Sequence, residues 1–489
     1  MSDPIAVRPR APAVFTIPAH RSFADSLVAG LRSRFGSGPL DLARGRILLP
    51  NNRAVRTVTE AFVRASGTGL VLPRLIPIGD PELDDRIGGA LDTLDTAEPI
   101  PAAVDPLARL LALTQLVAAD GTGTAEAMRL AADLARTLDA LLVEDIAPDR
   151  LESAAADAPD LAHHWQLSID RLQAMLAQWP ALLASRERID LADRRNRLLR
   201  ALAQRWGTTP PDGFTIAAGI TTAAPAVAAL LRRVAELPDG MVVLPGLSLA
   251  SVMPDEEWDA LGGGSDGSDP PGRSEESHPQ FHLKLLLERM GVARGEVQLW
   301  RSAGRSAGQA LRGRAVANAM TAADFSDKWN GLKPAERRLT GVRAAELPDI
   351  AAEAQAIALA LREAVEAPGL TAALVTPDRM LAARVSALLA RWGIAADDSA
   401  GQPLTQTPAG TLLLGIAAAA AEELAPVPLL ALLKHPLVGG EGDQRLIWLE
   451  AVRALDLKLR GPRPAAALRG LDEHFAGLDA WQRVRSAVA

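Results

Sequence analysis

"VFTIPAHRSFADSLVAGL", residues 14–31, reads as a strand, a turn and a helix. Val14 to Ile17 is a short apolar run that Pro18 ends. Ser22 and Asp25 form an S-x-x-D helix start, and Leu27, Val28, Leu31 and Phe35 recur at helical spacing. In many nucleotide-dependent enzymes a phosphate sits at such a turn, held by glycines that let backbone N–H groups converge, a lysine and a hydroxyl. Here the turn is Pro18-Ala19-His20-Arg21, without glycine or lysine, and Pro18 has no N–H to offer. His20 and Arg21 could meet one phosphate as point donors, but they cannot form the cradle. The expectation is an α/β domain with the scaffold of a nucleotide-driven motor and none of its grip.

The same pattern recurs outward from this stretch. "RILLP" (46–50) precedes a helix carrying Val55, Val58, Phe62 and Val63. "FTIAAG" (214–219) precedes one carrying Val227, Leu230, Leu231 and Val234, and "MVVLP" (241–245) follows. Short continuous apolar runs of this kind are buried parallel strands. The acidic pair that holds the metal in such ATPases belongs at the end of a later strand, yet "FTIAA" runs into Gly219-Ile220-Thr221-Thr222 without a carboxylate. Residues 103–206 repeat only at helical spacing and read as a helical insertion between parts 1–102 and 207–340 of a first domain. Within the latter, 261–277 is a flexible loop by composition. A second α/β domain is expected to start over 341–407. It has a helix stripe at Ile350, Ala354, Ile357, Leu361 and Val365, a strand "TAALV" (371–375), and a helix that Thr376 caps with Pro377 first. Residues 408–489 are again helical, and the chain stops without a closing strand, as the front part of a longer protein would.

At 489 residues the chain needs two or three domains. No run approaches a spanning helix and the first 13 residues lack a signal-peptide core, so no membrane contact and a cytoplasmic location are expected. Zero cysteines exclude disulfides, thiolate metal sites and cysteine nucleophiles. A net charge of −7 excludes a uniformly basic coat but leaves room for a local arginine groove. With no tyrosine and 3% aromatics, base stacking would fall to Trp, Phe, His or Arg.

Eight segments in order carry a resemblance that spans essentially the whole chain: "VFTIP", "ILLPNNRAVRTVTEAFV", "LVLPRLIPIGD", "RIDLADRRNRLLRALAQRW", "IAAGITTAAPAVAALLRRVAELPDGMVVLPGL", "HPQFHLKLLLERMGV", "AALVTPDRMLAARVSALLARWGIAADDSAGQPLTQTP" and "PVPLLALLKHPL". Together they resemble the AddB family, the second subunit of the AddAB helicase–nuclease, in its alphaproteobacterial form. The resemblance implies two RecA-like, superfamily-1-helicase-like parallel-sheet domains with helical insertions, the second incomplete here. It implies an AddA-type partner that supplies ATP hydrolysis with magnesium. It also implies binding to DNA ends and single-stranded DNA, a role in double-strand break repair and recombination, and scanning for Chi-type signals. Family members are about twice this length, and the missing half carries a magnesium-dependent nuclease. No Asp…Glu-x-Lys pattern stands in this segment, so it is expected to hold no cofactor and not to cut DNA. Nor does it offer any cysteine to the iron–sulfur cluster of some relatives.

The candidate DNA contacts each have a plainer alternative. Asn51, Asn52 and Arg53 follow a strand end, where the loop of superfamily-1 helicases touches single-stranded DNA; a helix start explains them equally. Arg194 and Arg197 stand one turn apart, with Arg200 and Arg205 near, a spacing that suits successive phosphates or a solvated helix face. Arg379 occupies the analogous strand end of the second domain, and Lys434 and His435 precede Pro436 at a helix end favoured by its dipole. His278 and His282 in "HPQFH" have metal-ligand spacing but lack the usual glutamate, so local packing or a partner contact is expected. Asp397 and Asp398 read as a turn, and Trp165, Trp179, Trp206 and Trp392 as core. Two other functions remain open: a small-molecule α/β enzyme with a crevice at its strand ends, and an assembly subunit that never meets DNA.

Overall fold

The computed structural model describes residues 11–36, 38, 40–67, 69–79, 99–119, 121–146, 176–262, 275–301, 310–337 and 341–488. The expected loop 261–277 falls mostly outside them, as does Trp165. The chain divides into two compact units, Met1–Arg343 and Ala344–Ala489, close to the boundary expected at 341.

The first unit is built on six parallel strands: β1 (Val14–Ile17), β2 (Arg46–Leu49), β3 (Arg74–Pro77), β4 (Thr215–Ala218), β5 (Gly240–Pro245) and β6 (Gln298–Leu299). Their order is β3-β2-β4-β5-β1-β6. The strands alternate between two apolar layers. Ile17, Ile47, Leu49, Ile216, Ala218 and Val243 enter one cluster with helices α1 (Phe23–Phe35) and α2 (Asn52–Ser66). Val14, Leu48, Ile76, Ala217, Val242 and Leu244 enter the other. Helices α3 (Pro106–Ala118) and α4 (Thr124–Val143) form a separate layer described below. Helices α5 (Leu191–Thr208), α6 (Pro225–Glu236) and α7 (Phe281–Met290) cover the second face of the sheet. A strand buried on both faces has no polar side to show, which is why these segments read as unbroken apolar runs.

Local chemistry sets the helix ends. The Asn51 side chain accepts from the Ala54 N–H at 2.9 Å to start α2, which Gly67 ends in the left-handed region. Helix α7 ends in a Schellman turn: Gly291 sits at φ 63°, its N–H reaches the Glu288 carbonyl and the Val292 N–H reaches that of Leu287. Helix α1 departs from expectation. Ser22 precedes it but caps no backbone group; its hydroxyl donates to Asp25, which pairs with Arg64 across the layer.

One expected boundary, the end of the insertion at 206, moves. The insertion leaves the sheet after β3, a strand the periodicity did not separate, and its own core ends before α5. Leu113, Val117, Ala131, Leu138, Trp179 and Leu183 form that core with α3, α4 and the helical residues 176–184. Its ends meet at a bridge between Ala103 and Ile189. Helix α5, expected within the insertion, instead buries Leu199, Leu202 and Trp206 against the sheet, because its apolar face matches the sheet layer. Beyond β6 the chain forms α8 (Ala310–Ala319) and a 3-10 run, Ala323–Gly331.

The second unit contains α9 (Ile350–Glu366), α10 (Arg379–Ala390), α11 (Pro408–Ala421), α12 (Pro426–Leu433), α13 (Gly442–Leu459), α14 (Ala467–His474) and α15 (Asp479–Val484). The helical character expected after 408 is observed. The expected strand 371–375 is not. Among the described residues this unit has no strand, the backbone groups of 371–375 meet no backbone partner, and Val375 is 93% exposed. An extended segment becomes a strand only when a neighbour satisfies its N–H and C=O groups, and none is offered here. A second parallel sheet is therefore not present among the described residues. The helix stripe is also shorter than its pattern: Ala354 and Ala358 are buried with Leu381, Val385 and Leu389, whereas Ile350 and Val365 are exposed. Asp378, not Thr376, caps α10, accepting from the Met380 and Leu381 N–H groups; Thr376 supports it by accepting from the Asp378 N–H.

Candidate nucleic-acid interface

The sheet order places the carboxyl ends of β2 and β4 side by side. β2 continues into α2 on one face, and β4 continues into α6 on the other. Neighbouring strands whose connections diverge in this way open a crevice beyond their carboxyl ends, where open α/β sheets take ligands. Asn51, Asn52 and Arg53, just past the end of β2, and Thr221 and Thr222, just past the end of β4, are all exposed. Gly219, at φ 72°, turns the chain out of β4, and the Phe23 ring lies beside it. The β3 turn backs the end of β2 so closely that a methyl group on Gly79 would overlap the Pro50 carbonyl. The positive end of the α2 dipole also points toward the crevice. The two threonines were missed in the sequence because only the sheet order makes them neighbours of Asn51.

A second divergence occurs at β5 and β1, and there the crevice is filled. The Gly246 N–H donates to the Ile17 carbonyl at 2.8 Å, and the Leu247 N–H to Thr16 Oγ1 at 3.1 Å. The Gln280 amide bridges the Ser248 N–H and the Gly246 carbonyl. Helix α8 lies against the turn itself: a methyl group on Gly313 would stand 3.2 Å from His20 Nδ1. Burial, and secondarily the charge of Arg21, hold the His20 imidazole below its ordinary pKa, so it is a poor cation there.

The other candidates are braces within the fold. Arg194 donates to the Pro101 carbonyl at 3.0 Å and Arg197 makes a two-pronged pair with Asp193. Both stand on α5, across the sheet from α2, so they share no face with Arg53. In the second unit Arg379 grips Asp398 through two hydrogen bonds of 3.1 and 2.6 Å, which raises its already high pKa. Asp398 also accepts from the Ala400 N–H, as the turn reading of this pair requires. Lys434 pairs with Asp456 at 2.7 Å. His435 Nδ1 accepts from the Leu437 N–H, so Nε2 carries the proton and donates to Thr411 at 2.9 Å.

The remaining expectations resolve through packing. His278 Nδ1 accepts from the Gln280 N–H, while the ring also bonds the Met320 backbone; both nitrogens serve the fold. Among the described residues no group of three His, Asp or Glu side chains could hold a metal ion. No helix among them is long and apolar enough to cross a membrane. Trp179 and Trp206 are core, but Trp392 is half-exposed with the Arg362 guanidinium 5.0 Å from its ring. Cavities among the described residues also lie away from the sheet crevices. One of about 680 Å³ in the insertion is lined by Ile100, Leu142, Leu183, Asp190 and Arg197. One of about 430 Å³ in the second unit is lined by Leu361, Leu374, Val385 and Asp398.

No protein-family model matches the chain, and no curated protein is significantly similar to it.

Proposed function

We propose that the first unit is a RecA-like, nucleotide-silent module of an AddB-type subunit, acting in double-strand break repair by guiding single-stranded DNA. The observation that carries the reading is the contrast between the two crevices of one sheet. The β1/β5 crevice, where a motor would grip nucleotide, has a turn without glycine or lysine that is packed against Gly246 and Gly313. The β2/β4 crevice keeps exposed amide, hydroxyl and guanidinium groups, the donor types that contact phosphate and sugar. In this reading ATP and magnesium act in an AddA-type partner, and the complex works on DNA in the cytoplasm.

Titration of the chain, alone and with its motor partner, against labelled single-stranded DNA tests the proposal. Binding that weakens with salt at a log–log slope of about −0.7 per phosphate contact supports it. Salt-independent binding, or none in either form, overturns it.

A further inference from the structure

After β6 the chain recrosses the carboxyl end of the sheet as residues 310–331. Ala315 and Asn318 of this segment are buried. Gly313 lies on His20, the His278 ring bonds the Met320 backbone, and Lys328 Nζ donates to Glu257 at 2.5 Å. It is folded on itself by the Trp329 N–H, which donates to the Asn318 carbonyl at 2.7 Å. No described side chain of 310–331 enters either apolar cluster of the sheet, and Val316, Met320 and Trp329 are about half exposed. A segment held by polar ties and little apolar burial opens at lower free energy than the core beneath it.

The ties are unequal. Glu257 is 2% exposed, so its carboxylate depends on Lys328, itself three-quarters covered, for compensation. His278, on the loop before α7, senses the charges of both members of this pair and that of Glu275. We propose that residues 310–331 form a detachable strap over the β1/β5 crevice, latched by the Glu257–Lys328 pair, so that the His20 turn is withheld from ligands while the latch is closed. The strap is independent of whether the chain binds DNA.

The cysteine-free chain gives a direct test. In the His20→Cys variant, maleimide labelling should be slow, and adding Lys328→Met should accelerate it by about tenfold or more. Lys328→Arg should restore protection. Amide exchange of β4 and β5 reports whether the sheet stays folded throughout. Independently of the latch, a Cβ on Gly313 would lie 3.3 Å from that of His20, near the disulfide range of about 3.5–4.5 Å. His20→Cys/Gly313→Cys should therefore cross-link under mild oxidation. Equal labelling rates with and without Lys328 in a folded sheet, or failure of the pair to cross-link, would overturn the proposal.

Discussion

The indole of Trp300 lies against Gly30 of α1, so closely that a methyl group on that glycine would overlap the ring, and its N–H donates to the Ser26 carbonyl at 2.9 Å. Arg34 covers the ring from another side, its guanidinium 3.8 Å from the centroid, and burial lowers the pKa of that guanidinium. Helix α1 and the strand end of β6 are thereby locked together. In an exposed helix Gly→Ala would gain about 1 kcal/mol. Here Gly30→Ala should instead destabilise the first unit by about 1–3 kcal/mol through overpacking. Denaturant unfolding followed by Trp fluorescence measures it, and a gain in stability would contradict the packing.

Asp190 should make the insertion sensitive to pH in an unusual direction. It accepts from the Trp179 N–H at 2.8 Å and stands 2.7 Å from Arg109 Nε, aligned as a charge pair and not as a hydrogen bond. Burial nonetheless raises its pKa, outweighing Arg109. A carboxyl whose folded pKa lies above the unfolded one binds more protons in the folded state, so its contribution falls as pH rises through that window. Asp190→Ala should cost about 1–3 kcal/mol at neutral pH by leaving the buried Trp179 N–H without its acceptor, while Arg109 keeps its pair with Asp139. Unfolding of wild type and variant across the acidic range should show the difference growing as pH falls toward the raised pKa.

Asp472 in the second unit has the opposite sign. Hydrogen bonds from Arg485, at 2.7 and 2.9 Å, and from the Trp481 N–H hold its pKa down at about 2. Its stabilisation is complete above the unfolded carboxyl value and is lost as pH falls toward about 2. Asp472→Asn should lower the Tm at pH 7 and leave it unchanged at the acidic end of that window. A pH-independent difference would show that the ion pair is not the cause.

On the proposed DNA path, Arg53→Glu should weaken single-stranded DNA binding at every sequence and reduce the salt slope by about one contact. Arg379→Glu should do less to binding and more to the stability of α10, because its guanidinium is committed to Asp398. Anisotropy titrations at several salt concentrations, set beside thermal melts, separate the two outcomes.

Periodicity and turn chemistry carried much of the first unit. The strands at Val14, Arg46, Thr215 and Gly240 and the helices that follow them rest on local signals: short apolar runs, caps and helical spacing. The candidate crevice was only half legible. Asn51–Arg53 follow a visible strand end, but Thr221 and Thr222 join them through a pairing between β2 and β4 nearly 170 residues apart in the sequence.

The sequence by itself determined the α/β class, the helical character of the insertion and of residues after 408, and the lack of a phosphate loop, because each follows from neighbours along the chain. Tertiary structure alone decided that α5 serves the sheet, that 371–375 finds no strand partner, and that α8 covers His20. Those outcomes depend on which surfaces meet, and a residue's own neighbours do not specify the surface that will cover it.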